Sequence, residues 1–286
     1  MSHPQRLRDL LAAGTIISAP GAPDSLAARL IEQAGFPAIY MTGFGATASR
    51  LGRPDIGLLT QTEMTTHARD MVRAVSIPVI ADADTGYGGP ANIARTMEEY
   101  AQAGVAAVHF EDQVSPKRCG QLAGVKVIPA EEAARRLRCA MASQGVGGPL
   151  VIGRTDALGA DGIDEAIRRA KLYQDSGVDL VFVDGIKKIA DVEAVARHVS
   201  GPKVVSIVDG NETVALTAPM LQEMGFSVVF YAVTALFAAA KAMQDALTIL
   251  KNDGTPRAVA EQLMTYAEFS TLVDLPRFQA LDHQFG

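Results

Sequence analysis

The chain has 286 residues, of which 48% are hydrophobic, and this is enough to bury a large core within one domain. Its formal net charge is −6 and it contains no block of lysine or arginine, which argues against nucleic acid or an anionic membrane surface as a partner and favours small molecules. Two cysteines are too few for a disulfide framework, and we find no signal peptide pattern or membrane-spanning run, so we expect a cytoplasmic protein.

A repeated unit runs along the chain. Four helix-like segments end at Gly35, Gly104, Gly177 and Gly225, and a short apolar run follows each glycine. Glycine readily adopts the left-handed conformation that ends a helix, and such a run fits a strand buried on both faces. With four further apolar runs, about eight strands are predicted, at 15–19, 36–41, 77–81, 105–110, 149–153, 178–183, 202–207 and 226–231.

Helical patterns alternate with these strands. They cover 25–32, 61–74, 90–102, 164–174 and 190–198, with further helices at 236–250 and 258–268. This alternation predicts an α/β fold of the (β/α)8 TIM-barrel type. An open doubly wound sheet is the competing interpretation, but no Gly-x-Gly-x-x-Gly turn follows the first strand. We therefore expect a single domain over 1–286, with the barrel in 1–250 and a helical extension in 251–286.

Mainly acidic residues follow the predicted strands, at the end of a barrel where catalytic groups lie. In chain order, the candidates are Thr42, Gly43, Phe44, Asp55, Asp82, Asp84, Glu111, Asp112, Arg154, Asp156, Asp184, Ser206 and Asp209. Carboxylates that converge repel one another unless a cation compensates, and a hard divalent ion with oxygen ligands does so. We predict Mg²⁺, with Mn²⁺ as a substitute, at Asp82, Asp84 and Glu111. Asp84 is expected to bind directly and the other two mostly through water.

Two roles fit Arg154, a cation among these acids. It could neutralise a neighbouring carboxylate, or it could hold a substrate carboxylate through two parallel hydrogen bonds, which the surroundings favour. Asp156 could equally cap the helix that follows it. His109 lies in an apolar strand, which indicates a buried supporting residue with satisfied hydrogen bonds. Phe44 and Tyr87 either line the pocket or pack beside it.

The segment Lys117-Arg118-Cys119-Gly120-Gln121 places a thiol after two cations and before a glycine. Adjacent cations favour the thiolate, and a flexible loop lets that group approach a reacting carbon. The sequence therefore predicts a thiol with a lowered pKa that can carry protons, and an incidental cysteine is the alternative. Cys139 lies in a helical pattern and is expected to be a packing residue.

Four motifs together resemble the isocitrate lyase/phosphoenolpyruvate mutase superfamily over nearly the whole chain. They are Asp82-Ala83-Asp84-Thr85-Gly86-Tyr87-Gly88, Glu111-Asp112-Gln113, Lys117-Arg118-Cys119-Gly120 and Arg154-Thr155-Asp156. The similarity is nearest to 2-methylisocitrate lyases, 2,3-dimethylmalate lyases and carboxyphosphonoenolpyruvate mutases. It implies a barrel with a C-terminal helix swapped between subunits, a homotetramer built as a dimer of dimers, a Mg²⁺ ion and a mobile loop that carries the thiol.

The resemblance also implies roles for individual residues. It puts Asp55, Asp82, Asp84 and Glu111 around the metal, Thr42, Gly43 and Arg154 around a substrate carboxylate, and Cys119 in the place of a proton donor assisted by Lys117 and Arg118. The implied reaction is Mg²⁺-dependent cleavage of a carbon–carbon bond in a 2-hydroxy di- or tricarboxylate. Pyruvate or glyoxylate and a second carboxylate would be released.

Three positions depart from these lyases. Gln121 stands where they have His, Asp184 where they have Glu, and Ser206-Ile207-Val208-Asp209 where they have Asn-x-x-Glu. In the family these positions face the half of the substrate that departs as a carbanion, so we expect enolate chemistry with a different second half. Three alternatives stay open, namely a phosphonate mutase, an oxaloacetate decarboxylase and a non-catalytic protein that binds a keto acid.

Overall fold

Eight apolar runs form a closed barrel in which each strand pairs in parallel with its sequence neighbours and β8 pairs back with β1. The structure, a computed structural model, describes residues 1–286. The strands are β1 (Ile17–Ala22), β2 (Ile39–Met41), β3 (Val79–Asp82), β4 (Ala107–Glu111), β5 (Leu150–Thr155), β6 (Leu180–Val183), β7 (Lys203–Ile207) and β8 (Val228–Tyr231). The predicted (β/α)8 barrel is confirmed, although each strand begins one to three residues later than the sequence indicates.

Helices connect the strands. They are α1 (His3–Ala12), α2 (Ser25–Gln33), α3 (Gly43–Leu51), α4 (Gln61–Ala74), α5 (Pro90–Ala103), α6 (Ala130–Ala142), α7 (Ala157–Asp161), α8 (Ile163–Asp175), α9 (Ile189–His198), α10 (Ala218–Glu223), α11 (Thr234–Asp253), α12 (Tyr266–Leu272) and α13 (Leu275–Phe285). Short 3₁₀ helices cover Glu212–Ala215 and Arg257–Gln262. None of these helices has the length and apolar character needed to cross a membrane.

The chain divides into two compact units, residues 1–234 and residues 235–286. The first unit contains the whole barrel, and the second contains α12, α13 and nearly all of α11. This boundary and the one expected from the sequence, after residue 250, both fall within α11.

Two segments differ from the sequence-based expectation. Residues 43–51, where no helix is predicted, form α3. The buried Thr42 side chain accepts a hydrogen bond from the Gly45 N–H and starts the helix despite its glycines. The single helix predicted at 258–268 is wrong. A new helix, α12, starts inside this range because Thr265 and Glu268 form a reciprocal capping box.

The inside of the barrel is filled by alternate residues of the strands. Ile80, Ile152, Phe182 and Phe230 belong to this inner cluster, and Leu7 of α1 joins it. The outer cluster packs the other face of the sheet against the surrounding helices. Helix α1 packs on the inner cluster at one end of the barrel. The candidate functional residues lie at the other end, where the strands terminate.

A tight approach between the ends of β1 and β8 leads to a stability prediction. A Cβ atom on Gly21 would lie 2.1 Å from the carbonyl oxygen of Ala232, which is main chain and cannot turn aside. We expect Gly21→Ala to lower the free energy of unfolding by about 1–3 kcal/mol through overpacking, measured by urea unfolding. Gly89→Ala is the matched control, since a Cβ there meets no atom within 4 Å. Equal stability of the two variants would contradict this account of the closure.

Candidate active site

Six buried carboxylates gather at the C-terminal end of the barrel, and we call this group the acid cup. Its members are Asp55, Asp82, Asp84, Glu111, Asp156 and Asp184. Main-chain bonds fix its centre, because the Glu111 N–H donates to the Asp84 carbonyl at 2.9 Å and the Asp84 N–H donates to Oδ1 of Asp82 at 2.9 Å. The barrel therefore brings together residues that lie far apart in sequence. This agrees with the strand-end rule, by which catalytic groups of a barrel lie where its strands end.

Lys117 is one of two buried cations in the cup. Its Nζ lies 2.7 Å from Oδ1 of Asp55 and 2.6 Å from Oδ1 of Asp84. Burial opposes its charge, but the surrounding carboxylates raise the pKa of Lys117 well above its usual range. The ammonium group is therefore charged at neutral pH and ties its loop to the cup.

Arg154 is the second cation. Its Nη2 lies 2.6 Å from Asp184, 2.8 Å from Asp156 and 3.2 Å from Glu111. The Asp156 carboxylate receives two hydrogen bonds from this guanidinium and makes none to the start of α7, so Asp156 pairs with Arg154 and does not cap the helix. Of the two roles considered for Arg154, the structure shows the neutralising one directly.

The carboxylates ionise unequally. Burial disfavours the charge of Asp82, but the charged forms of His109, Lys117 and Arg154 hold its pKa well below the usual range. Burial raises the pKa of Asp84 to about 6, with Asp82 and Asp55 adding to the effect of burial against that of Lys117. Burial also raises the pKa of Glu111 well above its usual range, despite Arg154. The cup holds six acids and two cations, and because these groups are buried, solvent screens their charges poorly.

The carboxylates fit a hard divalent cation. Oε1 of Glu111 is buried without a hydrogen-bond partner, and oxygen ligands of this kind are preferred by Mg²⁺. No three His, Cys, Asp or Glu side chains are arranged to hold one ion together. Mg²⁺ usually takes one or two direct carboxylates and keeps several waters, so a site for it does not require three converging side chains.

A buried layer beneath the cup supports Asp82. Nε2 of His109 lies 3.0 Å from the Tyr40 hydroxyl and 3.6 Å from Oδ1 of Asp82, and the Tyr100 hydroxyl donates to the Asp82 carbonyl at 2.7 Å. Burial lowers the pKa of His109 to about 4, so its ring is neutral. His109 has the predicted supporting position, but its Nδ1 has no partner, so the expectation of full satisfaction was wrong. Sequence reasoning missed both tyrosines, which lie among apolar core residues.

Asp112 follows Glu111 directly but is bound elsewhere. Its carboxylate accepts hydrogen bonds from the Thr155 hydroxyl at 2.7 Å, the Tyr173 hydroxyl at 2.6 Å and the Asp156 N–H at 2.9 Å, and it forms an ion pair with Arg169. It therefore joins the end of β4 to the chain after β5. Asp112 supports the cup from outside and is not one of its members.

The loop that carries the thiol lies closed over the cup. The Cys119 N–H donates to the Asp55 carbonyl at 3.0 Å, and the Gln113 side chain holds the main chain of Arg118 through two hydrogen bonds. A Cβ on Gly120 would lie 2.5 Å from Asp156 and 2.6 Å from Asp184. Glycine at this position allows the loop backbone to approach the carboxylates closely.

The predicted lowering of the thiol pKa is wrong. Burial raises the pKa of Cys119 to about 11. The two cations beside it in sequence do not act on it as expected, because Lys117 is paired with Asp55 and the Arg118 guanidinium donates to the Ala123 carbonyl. At neutral pH Cys119 is a protonated thiol, which is the form that can donate a proton.

The remaining candidates are divided between the cup and its surroundings. The Gly43 N–H donates to Oδ2 of Asp82 at 3.1 Å, and Ser206 is buried in β7. Phe44 is half-buried on α3, and Tyr87 packs against the outer core. Asp209 is exposed and accepts a hydrogen bond from Thr234, so the structure does not bring it into the cup. The chain turns outward after β7, which the strand-end rule does not anticipate.

Gln121 contacts two residues that sequence reasoning missed. Lys187 donates to its main-chain carbonyl at 3.0 Å, and Nδ2 of Asn211 donates to its Oε1 at 3.2 Å. Lys187 follows β6 and Asn211 follows β7. A search of the loops after the strands would therefore have found both residues.

Comparison with known proteins gives matches over almost the whole chain. The family model described as phosphoenolpyruvate phosphomutase matches residues 7–251. The chain is 37% identical to a 2,3-dimethylmalate lyase of Eubacterium barkeri, covering 100% of this chain and 99% of that protein. It is 40% identical to a 2-methylisocitrate lyase of Halalkalibacterium halodurans, covering 97% and 91%. A crystal structure of 2,3-dimethylmalate lyase superposes with a TM-score of 0.93 at 38% identity, covering 100% and 96%.

The raised pKa of Cys119 can be tested by alkylation. In a Cys139→Ala background Cys119 is the single thiol. We expect its reaction with iodoacetamide to be slow at pH 7 and to accelerate up to a midpoint near 11, because only the thiolate reacts. The same protein unfolded in urea should react with a midpoint of about 8.5. A folded-state midpoint below that of the unfolded protein would contradict the structure.

Proposed function

The chain belongs to the phosphoenolpyruvate phosphomutase family, and we propose that it cleaves a carbon–carbon bond in a 2-hydroxy di- or tricarboxylate with the help of a divalent metal ion. The resemblance inferred from the four motifs is confirmed, and the similar proteins with lyase names support lyase chemistry. They give no support to the non-catalytic alternative. The two free thiols fit our expectation of a cytoplasmic, reducing compartment.

The observation that carries the proposal is a protonated thiol held on a closed loop above a cup of buried carboxylates. Cleavage would transfer the proton of the C2 hydroxyl to an ionised carboxylate of the cup, form the C2 carbonyl, and move the electron pair of the breaking bond to a carbon next to the second carboxylate. We propose that Cys119 gives its proton to that carbon. A carbanion of this kind is far more basic than a thiolate, so a thiol with a pKa of about 11 can protonate it.

The cup would bind the half of the substrate that becomes pyruvate or glyoxylate. Asp82, Asp84 and Glu111 would hold Mg²⁺, or Mn²⁺ as a substitute, and the ion would supply positive charge next to the oxygen on which negative charge develops. Thr42, the Gly43 main chain and Arg154 are the groups we propose for the substrate carboxylate. Lys117 and Arg118 would add positive charge on the loop, and loop closure would exclude water from the carbanion.

The other half of the substrate would lie against residues that differ from the lyases of the family. Gln121 comes from the loop, next to Gly120, which the family shares. Asp184 pairs with Arg154, and Ser206 is buried in β7. Since Asp209 lies outside the cup, the difference in second-half recognition falls on Gln121, Asp184 and Ser206. We propose that the chain accepts a departing half unlike that of 2-methylisocitrate.

A substrate screen tests this function. Purified protein with Mg²⁺ would be given a panel of 2-hydroxy di- and tricarboxylates and oxaloacetate, and release of pyruvate or glyoxylate would be measured with and without EDTA. We expect metal-dependent release from at least one 2-hydroxy acid. A kcat/KM for 2-methylisocitrate above about 10⁴ M⁻¹s⁻¹ would refute the proposed difference in the second half. Release from oxaloacetate alone would favour the decarboxylase alternative.

The role of Cys119 has its own test within that assay. Cys119→Ser should lower kcat by about 10²-fold or more, since a serine hydroxyl is a much weaker acid, while Mg²⁺ and pyruvate binding stay nearly unchanged. Cys139→Ser is the matched control, because the Cys139 thiol donates a hydrogen bond to the Pro90 carbonyl on α5 and lies outside the cup. Near-normal turnover by the Cys119 variant would remove this residue from the mechanism.

A phosphonate mutase is the second candidate, and the description of the matching family model favours it. The same cup could hold an enolpyruvate while a phosphorus group migrates. Phosphorus NMR of the protein with carboxyphosphonoenolpyruvate and phosphonopyruvate would show rearranged products if this candidate is correct, and unchanged spectra would exclude it for these substrates.

We also propose a homotetramer, a dimer of dimers in which a C-terminal helix is swapped. The unit formed by residues 235–286 exposes several large apolar side chains, among them Met243, Leu247, Tyr266, Phe278 and Phe285. Clustered exposure of this kind usually marks an interaction surface. Light scattering after gel filtration should give the mass of four chains, and Leu247→Glu should shift it to smaller species. Val146→Glu, at an exposed loop residue of the first unit, is the control and should leave the mass of four chains unchanged. A monomeric wild-type protein would contradict the proposal.

A further inference from the structure

Gln121 is held by two loops that act on different parts of it. Lys187, in the loop after β6, donates to the main-chain carbonyl of Gln121 at 3.0 Å. Asn211, in the loop after β7, donates from Nδ2 to the side-chain Oε1 at 3.2 Å. The preceding residue, Gly120, lies against the cup. The position of the Gln121 main chain and the orientation of its amide are therefore fixed separately, at the edge of the site.

The other end of the Gln121 amide has no partner. Nε2 is shielded from solvent and forms no hydrogen bond. A buried N–H donor without an acceptor is unfavourable, and in native structures an ordered water, a ligand or a reacting group usually provides one. An acceptor brought by the substrate would satisfy this donor.

A primary amide offers a donor end and an acceptor end of nearly the same shape. Which end faces the substrate therefore depends on the neighbour that binds the opposite end. In the structure Asn211 donates through Nδ2 and Gln121 presents Oε1 to it, so Nε2 remains for the substrate. An aspartate at position 211 could only accept, and it would bind Nε2 instead.

We propose that Asn211 is a positioning residue that sets specificity, because it orients the Gln121 amide so that Nε2 donates to an oxygen on the departing half of the substrate. This inference rests on the proposed function and narrows it. The substrate class is a 2-hydroxy acid whose departing half carries an oxygen acceptor, such as a carboxylate, an ester or a ketone. A departing half that offers only a donor at this point is rejected.

The test uses Asn211→Asp and two malate derivatives. Malate 4-methyl ester has only acceptors at its C4 end, whereas malate 4-amide has an acceptor and a donor there. Both ends are neutral, so the added charge at position 211 affects the two probes alike. Reversal of the Gln121 amide should weaken binding of the ester relative to the amide by roughly tenfold, the effect of one buried hydrogen bond. The ratio of the two Kd values would be measured by calorimetry with Mg²⁺ present.

Matched variants separate orientation from general loosening of the loop. Lys187→Ala removes only the bond to the Gln121 main chain, so it should weaken both probes equally and leave the ratio unchanged. In a Gln121→Leu background there is no amide to reverse, so Asn211→Asp should not alter the ratio. The Asn211→Leu side chain neither donates nor accepts, so it should change the ratio of the two Kd values less than Asn211→Asp does. It replaces the aspartate variant in the test if that variant does not fold.

Each outcome decides the matter. A ratio that changes in the wild-type background but not with Gln121→Leu supports the inference. An unchanged ratio, or an equal change in both backgrounds, overturns it while leaving the proposed function intact. If malate and both derivatives fail to bind the wild-type protein, the inference fails for departing halves of this kind, and the substrate screen decides the proposed function separately.

Discussion

The pairing of two buried cations with five of the six buried carboxylates determines how the C-terminal end of the barrel is built. Lys117 pairs with Asp55 and Asp84, and Arg154 pairs with Glu111, Asp156 and Asp184. Asp82 pairs with neither cation, but nearby positive charge holds its pKa well below the usual range. Removing one partner from a buried ion pair typically costs about 3–5 kcal/mol, because the remaining charge is left in a poorly solvating environment. Since Lys117 belongs to the loop and Arg154 to β5, the same electrostatic balance closes the loop and fixes the base of the cup.

Most of the fold could be predicted from the sequence because each βα unit carries its own local signal. A glycine ends the helix, an apolar run forms the strand, and a capping pair such as Thr60 and Glu63 starts α4 at the predicted residue. The segment that forms α3 lacks a clear signal of this kind in its own residues. Gly43 and Gly45 are weak helix formers, and α3 exists because Thr42 caps it and the barrel rim supports it.

The candidate site was predictable in its members but not in their pairing. The strand-end rule identified Glu111 and Asp112 together, yet the alternation of a strand sends the first into the cup and the second to Thr155 and Tyr173 outside it. The thiol shows the same limit. Sequence proximity suggested that Lys117 acts on Cys119, whereas the folded chain pairs Lys117 with Asp55 and leaves the thiol half-buried. Charge neighbours in space are set by tertiary structure, which local sequence does not encode.

The packing of α1 determines which end of the barrel a small molecule can reach. Leu7 and the filled interior seal one end of the barrel, and Arg8 fastens α1 to the Gly148 carbonyl just before β5. The other end is covered by the loop that carries Cys119. Under the proposed function, substrate and product would pass through the same end of the barrel, and the rate at which this loop moves aside would set an upper limit on turnover.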